Sequence, residues 1–596
     1  MRFSARGWCW TGVAGVLLVV LAALLGWVAF PYFVHLLIGK ELALKDGSDA
    51  YDRWVTLPID LDLKLSIFNV TNKEEIMRGA KPKLQELGPY VYKQHRHKVN
   101  IKYDEEADTW TYRQILIHTF DAEQSAPFKE DDVVTTIHPA LMSMINIMTN
   151  IPVLAKGTMF VDAAAPLLFP DGIFLTTTAG ALLFGGVHIA CGKLGSGSDA
   201  DSPAFSMAAQ NPIANLAAGK WQRNANAPSL KPRLAALITC SSFKHIKVPT
   251  MNVLDNGDVS FSLFGYKNNT ADGEYTVKSG ITQPEEIAQI TAWNGKATTT
   301  AWGGPTCNAV NGTQGDIFSP YIEKTSTISV FSTDICRSMT LKYLEDASYR
   351  GIPGYRFAPG SEVMASAADN GNNYCFCPQV ARGLTKENGC LKKGALDLSG
   401  CQGIPIIVTY PHFYESDPSY LDGVEGLNPQ AELHRMQLDI EPMTGTPLHG
   451  GKKMQLNWMV RQVEGFELTK GVRPTLFPVA WMYEGAALNT PMVDLLNGLL
   501  FSKLTILDAV KYTLLSLGLL LFLVGAVMYY RVRRSPSAVR PQSPEAPQRP
   551  SDRATSAAGD VGLMAPGPHA APNGAVGDMA ETKLQAGVNG SANGNA

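Results

Sequence analysis

Leu514-Leu515-Ser516-Leu517-Gly518-Leu519-Leu520-Leu521-Phe522-Leu523-Val524 lies within a stretch, Tyr512 to Tyr530, that carries no charged residue. Asp508 and Lys511 precede it, and Arg531, Arg533 and Arg534 follow. A helix needs about 20 apolar residues to cross a bilayer, and a buried core helix is rarely so uniformly apolar between such abrupt charges. The stretch predicts a membrane span over residues 506–530. At the other end, no residue between Arg6 and Lys40 is formally charged apart from what His35 carries, and Val13 to Phe33 is nearly all apolar. That run is longer than the roughly 7–15 apolar residues of a cleaved signal peptide, and it ends in bulky Trp27, Phe30, Tyr32 and Phe33. It predicts an uncleaved first span over residues 7–38.

The basic flanks set the orientation. Arg2 and Arg6 precede the first span and three arginines follow the second; positive residues beside a span stay cytoplasmic. Residues 1–6 therefore read as a cytosolic stub, 39–505 as an exterior domain and 531–596 as a cytosolic tail, with both termini inside. Three N-glycosylation sequons, at Asn69, Asn268 and Asn311, and eight of nine cysteines fall in the exterior segment, and such clustering suits an oxidising compartment. A fourth sequon, at Asn589, falls in the tail and should stay unused. The tail is rich in Pro, Ala, Gly, Ser and Asn, lacks the apolar content for a core, and reads as disordered. A formal net charge of -3 over 596 residues gives no reason to expect a nucleic-acid partner. Length alone would suggest two to four domains.

Strand patterns dominate the exterior segment. Tyr90–Val99 and Trp110–Phe120 flank the acidic turn Asp104-Glu105-Glu106-Ala107-Asp108, as in a long hairpin. Val259–Tyr266, Ile404–Tyr410 and Met454–Val460 read as further strands, whereas residues 139–190 read as apolar helices. Residues 192–235 form a Gly-, Ser-, Ala-, Asn- and Pro-rich inserted loop bracketed by Cys191 and Cys240. If those two cysteines pair, the closed loop restrains the unfolded chain by roughly 4 kcal/mol on the entropic account.

A set of longer words then emerges in order. Trp54, Ile67-Phe68-Asn69-Val70 and Gly88-Pro89-Tyr90-Val91-Tyr92 come first. Asn268-Asn269-Thr270-Ala271-Asp272-Gly273, Phe331-Ser332-Thr333-Asp334-Ile335-Cys336-Arg337-Ser338 and Gly351-Ile352-Pro353-Gly354-Tyr355-Arg356-Phe357 follow. Asn373-Tyr374-Cys375-Phe376-Cys377, Pro411-His412-Phe413, Gly426-Leu427-Asn428-Pro429 and Leu438-Asp439-Ile440-Glu441-Pro442 complete the set. Between two spans, this ordered set resembles the class B scavenger receptors, which include fatty-acid translocase, the high-density-lipoprotein receptor, a lysosomal integral membrane protein and insect sensory neuron membrane proteins. The resemblance covers roughly residues 10–530. It implies one exterior domain of α+β class: an antiparallel β-barrel core with an apical helical bundle and an internal apolar tunnel.

The resemblance also implies the disulfides Cys307–Cys375, Cys336–Cys401 and Cys377–Cys390. Six cysteines allow 15 connectivities, so spacing alone does not select these. The rival reading of Cys375-Phe376-Cys377 with Cys390 and Cys401 is a zinc site, although zinc pairs usually have two to four intervening residues and the context is secretory. Family members are palmitoylated at juxtamembrane cysteines, which makes Cys9 the candidate here. Some relatives carry two lysines on an apical helix for anionic ligands; the matching stretch, Leu168-Phe169-Pro170-Asp171-Gly172-Ile173-Phe174, has none. The inserted loop offers Lys193, Lys220, Arg223, Lys231 and Arg233 as substitute ligand contacts. A tolerated insertion with solvated charges is the blander reading of the same residues.

No catalytic motif is present: there is no Gly-x-Ser-x-Gly, His-Glu-x-x-His or P-loop. His118, His138, His412 and His434 stand isolated in the sequence and read as structural or surface residues. The apolar residues between Leu141 and Leu183 suit either an apical entrance or a packing core. The sequence therefore points to a non-enzymatic receptor at the plasma membrane, with no cofactor; an endosomal or lysosomal membrane ranks second. Its partners would be lipids, lipoproteins or other hydrophobic ligands, and the bilayer; self-association stays open. Lipid would pass through the tunnel to the membrane. The alternative is an adhesion or protein-binding receptor of the same fold without lipid transport.

Overall fold

Long helices stand at both ends of the chain in the computed structural model, which describes residues 5–150, 158–195, 232–245, 248–377, 390–463 and 466–534. The first covers Arg6–Leu42 and the second Thr490–Arg534, and both are long and apolar enough to cross a membrane. They meet at glycines. A Cβ added to Gly15 would fall 2.7 Å from the Gly518 carbonyl oxygen, and one added to Gly525 would fall 2.5 Å from the Gly12 nitrogen. Small residues serve helix contacts in lipid because close backbone packing, rather than the hydrophobic effect, holds helices together there.

The chain between them is mostly strand. In order these are β1 (Leu61–Val70), β2 (Leu84–Asp104), β3 (Thr109–Phe120), β4 (Val133–Ile137), β5 (Phe174–Thr178), β6 (Val187–Ile189), β7 (Met251–Val253), β8 (Val259–Phe261) and β9 (Thr270–Lys278). They continue as β10 (Ile290–Trp293), β11 (Thr327–Ser332), β12 (Arg337–Tyr349), β13 (Ile352–Pro359), β14 (Leu396–Asp397), β15 (Ile406–Thr409), β16 (Gln437–Glu441), β17 (Thr446–Val460) and β18 (Thr475–Ala487). One 13-stranded sheet runs β10-β9-β3-β2-β1-β18-β17-β16-β13-β12-β11, with β15 and then β14 branching from β17. Its ladders are all antiparallel.

The hairpin read from the sequence is the β2–β3 pair, in register from Tyr92↔Phe120 to Asp104↔Thr109. β2 starts earlier than its apolar alternation suggested, because Leu84–Leu87 pair with the far end of β1. The ladder does not close into the expected barrel. Instead, a loop segment fits between its edges: Ile290 N donates to Gly312 O (2.8 Å), and Thr313 N donates to Ser329 O (3.0 Å).

Two local expectations need correction. Residues 139–190 are not all helix: Pro139–Asn150 and Thr158–Leu168 are, but the turn at Pro170–Gly172 ends the second helix. The Thr176-Thr177-Thr178 run then pairs with β4 as β5, as β-branched residues favour. The strand expected over Val259–Tyr266 stops at Phe261. There the chain turns so that Leu263 N and Phe264 N donate to Leu182 O and Leu183 O (3.0 and 2.8 Å).

The helix Pro139–Asn150 is tied to β17: Trp458 Nε1 donates to Ser143 Oγ (2.8 Å) and Asn146 Nδ2 to Met459 O (3.0 Å). Pro232–His245 packs on Thr158–Leu168. Leu141, Ile145, Val161, Leu168, Leu182 and Leu183 are buried in one core with the β17–β18 side chains. Disulfides join Cys191–Cys240, Cys307–Cys375, Cys336–Cys401 and Cys377–Cys390. Met1–Tyr530 is one compact unit, and Arg531–Ala596, described only to residue 534, is a second.

Candidate functional site

Alternate side chains along a strand point to one face. In β2 these are Gln94, Arg96 and Lys98; in β3, Gln114, Leu116 and His118. That face borders a cavity of about 1270 Å³. Ordinary small-molecule pockets hold about 300–1,000 Å³, so the space accommodates a long chain. Its lining has two characters. Towards the spanning helices it is largely apolar, with Leu37 and Ile38 from the first and Leu499, Leu504 and Leu507 from the second, and Glu41 and Lys503 of the same helices also border it. Farther inside the sheet, apolar walls such as Leu63, Met339 and Met482 alternate with an ionic cluster.

The cluster is self-paired. Arg96 bridges Asp316 (3.0 Å) and Glu484 (2.6 Å), and Lys452 reaches Glu484 (2.5 Å). Lys452 and Lys267 share Asp334. Behind them, buried Lys98 donates to Trp54 O (2.8 Å) and faces Asp316 (3.5 Å). Buried charges persist only with such partners, because desolvation of each ion costs several kcal/mol. Burial would raise the Glu484 carboxyl, but Lys452 and Arg96 outweigh it and hold it well below the usual range. Burial, aided by the Lys452 charge, pulls Lys267 down to about 8. Burial raises Asp272 against its hydrogen bond from Tyr275 (2.9 Å). His118, lowered to about 4 by burial, is neutral. Arg96 Nε donates to Gln94 Oε1 (2.7 Å), which leaves the Gln94 amide group to donate to His118 Nε2 (2.9 Å).

None of these residues was singled out from sequence as a ligand contact. The signal existed, since Asp272, Ser332 and Asp334 sit inside the words that carried the family resemblance. Of the described residues between Leu141 and Leu183, most of the apolar ones form core instead, and none lines this cavity. Of the loop cations, Lys220, Arg223 and Lys231 lie outside the described residues, as does the side chain of Lys193. Arg233, half-buried on Pro232–His245, donates to Leu194 O (3.4 Å). Among the sequons, Asn268 and Asn311 are exposed, while Asn69 is half-buried on β1 and accepts from Thr135 N (2.8 Å). Asn589 lies outside the described residues. Cys9 is a free, exposed cysteine. His412 and His434 are not isolated: their rings stack at 4.3 Å, and Glu86 accepts from Trp481 Nε1 (2.6 Å) while contacting His412 Nε2 (3.0 Å).

Comparison with known proteins fits this architecture. The model of the CD36 family matches residues 13–529. Sensory neuron membrane protein 2 of Anopheles gambiae is 32% identical over 90% of this chain and 95% of its own length. Sensory neuron membrane protein 1 of Heliothis virescens is 31% identical over 90% of this chain and 94% of its own. With two terminal spans, a large antiparallel sheet and four disulfides between them, the chain belongs to the CD36 family of scavenger-receptor-type membrane proteins.

Proposed function

We propose that this chain is a non-enzymatic receptor of the cell surface that takes up lipid, free or from lipoproteins, and passes it through the sheet interior to the bilayer. Both termini would be cytosolic. The observation that carries the reading is the lining of the cavity, which runs from side chains of both spanning helices into the main sheet. An acyl chain gains about 0.8 kcal/mol per methylene removed from water, so a sheltered apolar path to the membrane lowers its transfer barrier. Asn69, Asn268 and Asn311 would carry glycans, and Cys9 a palmitoyl chain. The insertion's Lys193, Lys220, Arg223, Lys231 and Arg233 would attract anionic particle surfaces beside an apical helical bundle. Reversing all five charges should then cut lipoprotein capture and leave uptake of monomeric lipid intact.

Ala486 lines the cavity two residues beyond Glu484, on the way to the second span. Ala486→Phe would fill the passage there. In cells with matched surface expression, uptake of a fluorescent long-chain lipid should fall to background. Undiminished uptake would overturn the reading in favour of adhesion or protein binding.

A further inference from the structure

We propose that the stacked imidazoles of His412 and His434 form an acid-released latch: as neutral rings they hold the segment Gly426–His434 against the main sheet, and protonation frees it. This holds whatever the cavity binds.

The two histidines come from different segments. His412 belongs to the turn Pro411–Phe413, and its backbone N donates to Gln455 Oε1 of β17 (2.7 Å). His434 ends the short helix Ala431–His434. They meet on the face of the sheet turned away from the cavity: both rings contact Trp481 edge-on, and Trp481 alternates along β18 with the cavity-lining Met482. Both are buried, at 5% and 3% exposure. Their rings lie 4.3 Å apart and within 11° of parallel. His412 and Phe413 hold left-handed backbone (φ 55° and 58°), which bulky residues adopt only where their surroundings impose it.

The hydrogen bonds fix the protonation state. His412 Nδ1 accepts from Asn428 N (3.0 Å), and His434 Nδ1 accepts from Gln430 N (2.9 Å). A ring nitrogen that accepts carries no proton, so both imidazoles are neutral. His412 Nε2–H then donates to Glu86 Oε2 (3.0 Å). Burial would raise the Glu86 carboxyl, but His412 and Trp481 hold it below its usual range, so it stays ionised. Burial, followed by charge on His412, lowers His434 to about 4; Glu86 opposes this and Lys453 adds to it. A proton on either Nδ1 turns the accepting atom into a second donor facing a backbone N–H. Charge on both stacked rings adds repulsion.

Little else ties the segment down. Its upstream end is pinned, with Leu84 N donating to Glu425 O (2.9 Å) and Glu425 N to Pro82 O (2.8 Å). Gly426 follows at φ 98°, a conformation open to glycine. Leu427 packs on the core. Apart from the local bond of Arg435 N to Ala431 O, the bond from Asn428 N to His412 is the segment's only one to the rest of the chain among the described residues. Beyond His434, Met436, Gln437 and Leu438 border the cavity, so the latch adjoins one of its walls. Opening takes up protons that the closed latch refuses, so protection present above pH 6.5 is lost as pH falls towards about 4.

The test is hydrogen exchange of the full chain in nanodiscs from about pH 7.5 to about pH 5, with protection corrected for the intrinsic acid dependence of exchange. Below the ordinary histidine range, protection of residues 426–435 should fall about tenfold per pH unit for each proton taken up, while β2 and β3 hold theirs. Asparagine places an uncharged acceptor where Nδ1 stands, so His412→Asn and His434→Asn should each remove one proton's share of the slope, and the double variant should flatten it. Lys453→Met, which leaves the latch intact, should move release to higher pH by removing a charge that opposes His434 protonation. Parent protection that falls no further at 426–435 than in β2 and β3 would overturn the latch without any variant. So would a slope that survives in the double variant, or a release pH unmoved by Lys453→Met.

Discussion

Two interiors of this molecule are built on opposite principles. Around Leu141, Ile145, Val161, Leu168, Leu182 and Leu183, helices and short strands close on one another and leave a continuous apolar core. One face of the main sheet instead leaves a large cavity and places Arg96, Lys98, Asp316, Asp334, Lys452 and Glu484 beside it. The first region obeys the rule that cohesion comes from dense packing. In the second, packing gives way to space, and an ionic network joins side chains from segments distant in sequence across the backbone ladder. Asp334 binds Lys267 across 67 residues and Lys452 across 118. Apolar walls alone would serve a solvent-like lipid store; a wall with fixed charges can select.

The comparison breaks hardest at Glu484, where Arg96 and Lys452 converge. Glu484→Ala leaves Arg96 with Asp316 alone and Lys452 with Asp334 alone, and should destabilise the exterior domain by about 3 kcal/mol, since breaking a buried pair costs more than the pair itself contributes. Chemical denaturation of the purified chain would register it. Adding Arg96→Met and Lys452→Met should return much of the loss, which no packing defect would do. A triple variant as unstable as the single one would show that the loss came from packing and not from the unmatched charges.

In the packed region the matching probe is Leu182→Ala. Leu182 is fully buried, and its truncation should cost about 3 kcal/mol from lost transfer energy and the void left behind. Unlike Glu484→Ala, it should leave lipid binding in the cavity unchanged, because Leu182 does not line it. A smaller effect is expected where the two regions are joined. Ser143→Ala removes the acceptor of Trp458 Nε1, and leaving that buried donor unmatched should cost about 1–2 kcal/mol. Its hydrogen exchange should quicken along Pro139–Asn150 before it does in β17.

These regions were not equally legible in the sequence. Both spans were, because uniform apolarity between charges has few other causes. So was the β2–β3 hairpin, through alternation around its acidic turn. The packed region was legible as apolar but not as to use: the same leucines would suit an entrance, and only their mutual burial shows a core. The cavity wall was hidden for a sharper reason. Gln94, Arg96 and Lys98 alternate along β2 just as the solvent face of an antiparallel strand would. Which face is interior depends on how the whole sheet curves, which no local pattern encodes. Their partners Asp316 and Glu484 come from far along the chain.

Acid offers the gentlest way to separate the two interiors. His138 sits in the packed region with its ring edge-on to Phe169, and His118 lines the cavity. Burial lowers both from 6.5 to about 4. Between those values the unfolded chain binds protons that the folded chain refuses, so stability present above pH 6.5 is lost as pH falls towards about 4. Replacing either histidine with Gln should flatten the fall of melting temperature across this window. The two should differ in what acid does first. At His138, closed apolar packing must open as a unit before the ring can charge, so near-ultraviolet dichroism should change together with unfolding. At His118 the proton has a cavity to enter and an ionic network to disturb, so bound lipid should be released at a higher pH than the domain melts. Release and melting at the same pH in the parent chain would mean that the cavity wall yields only when the whole sheet does.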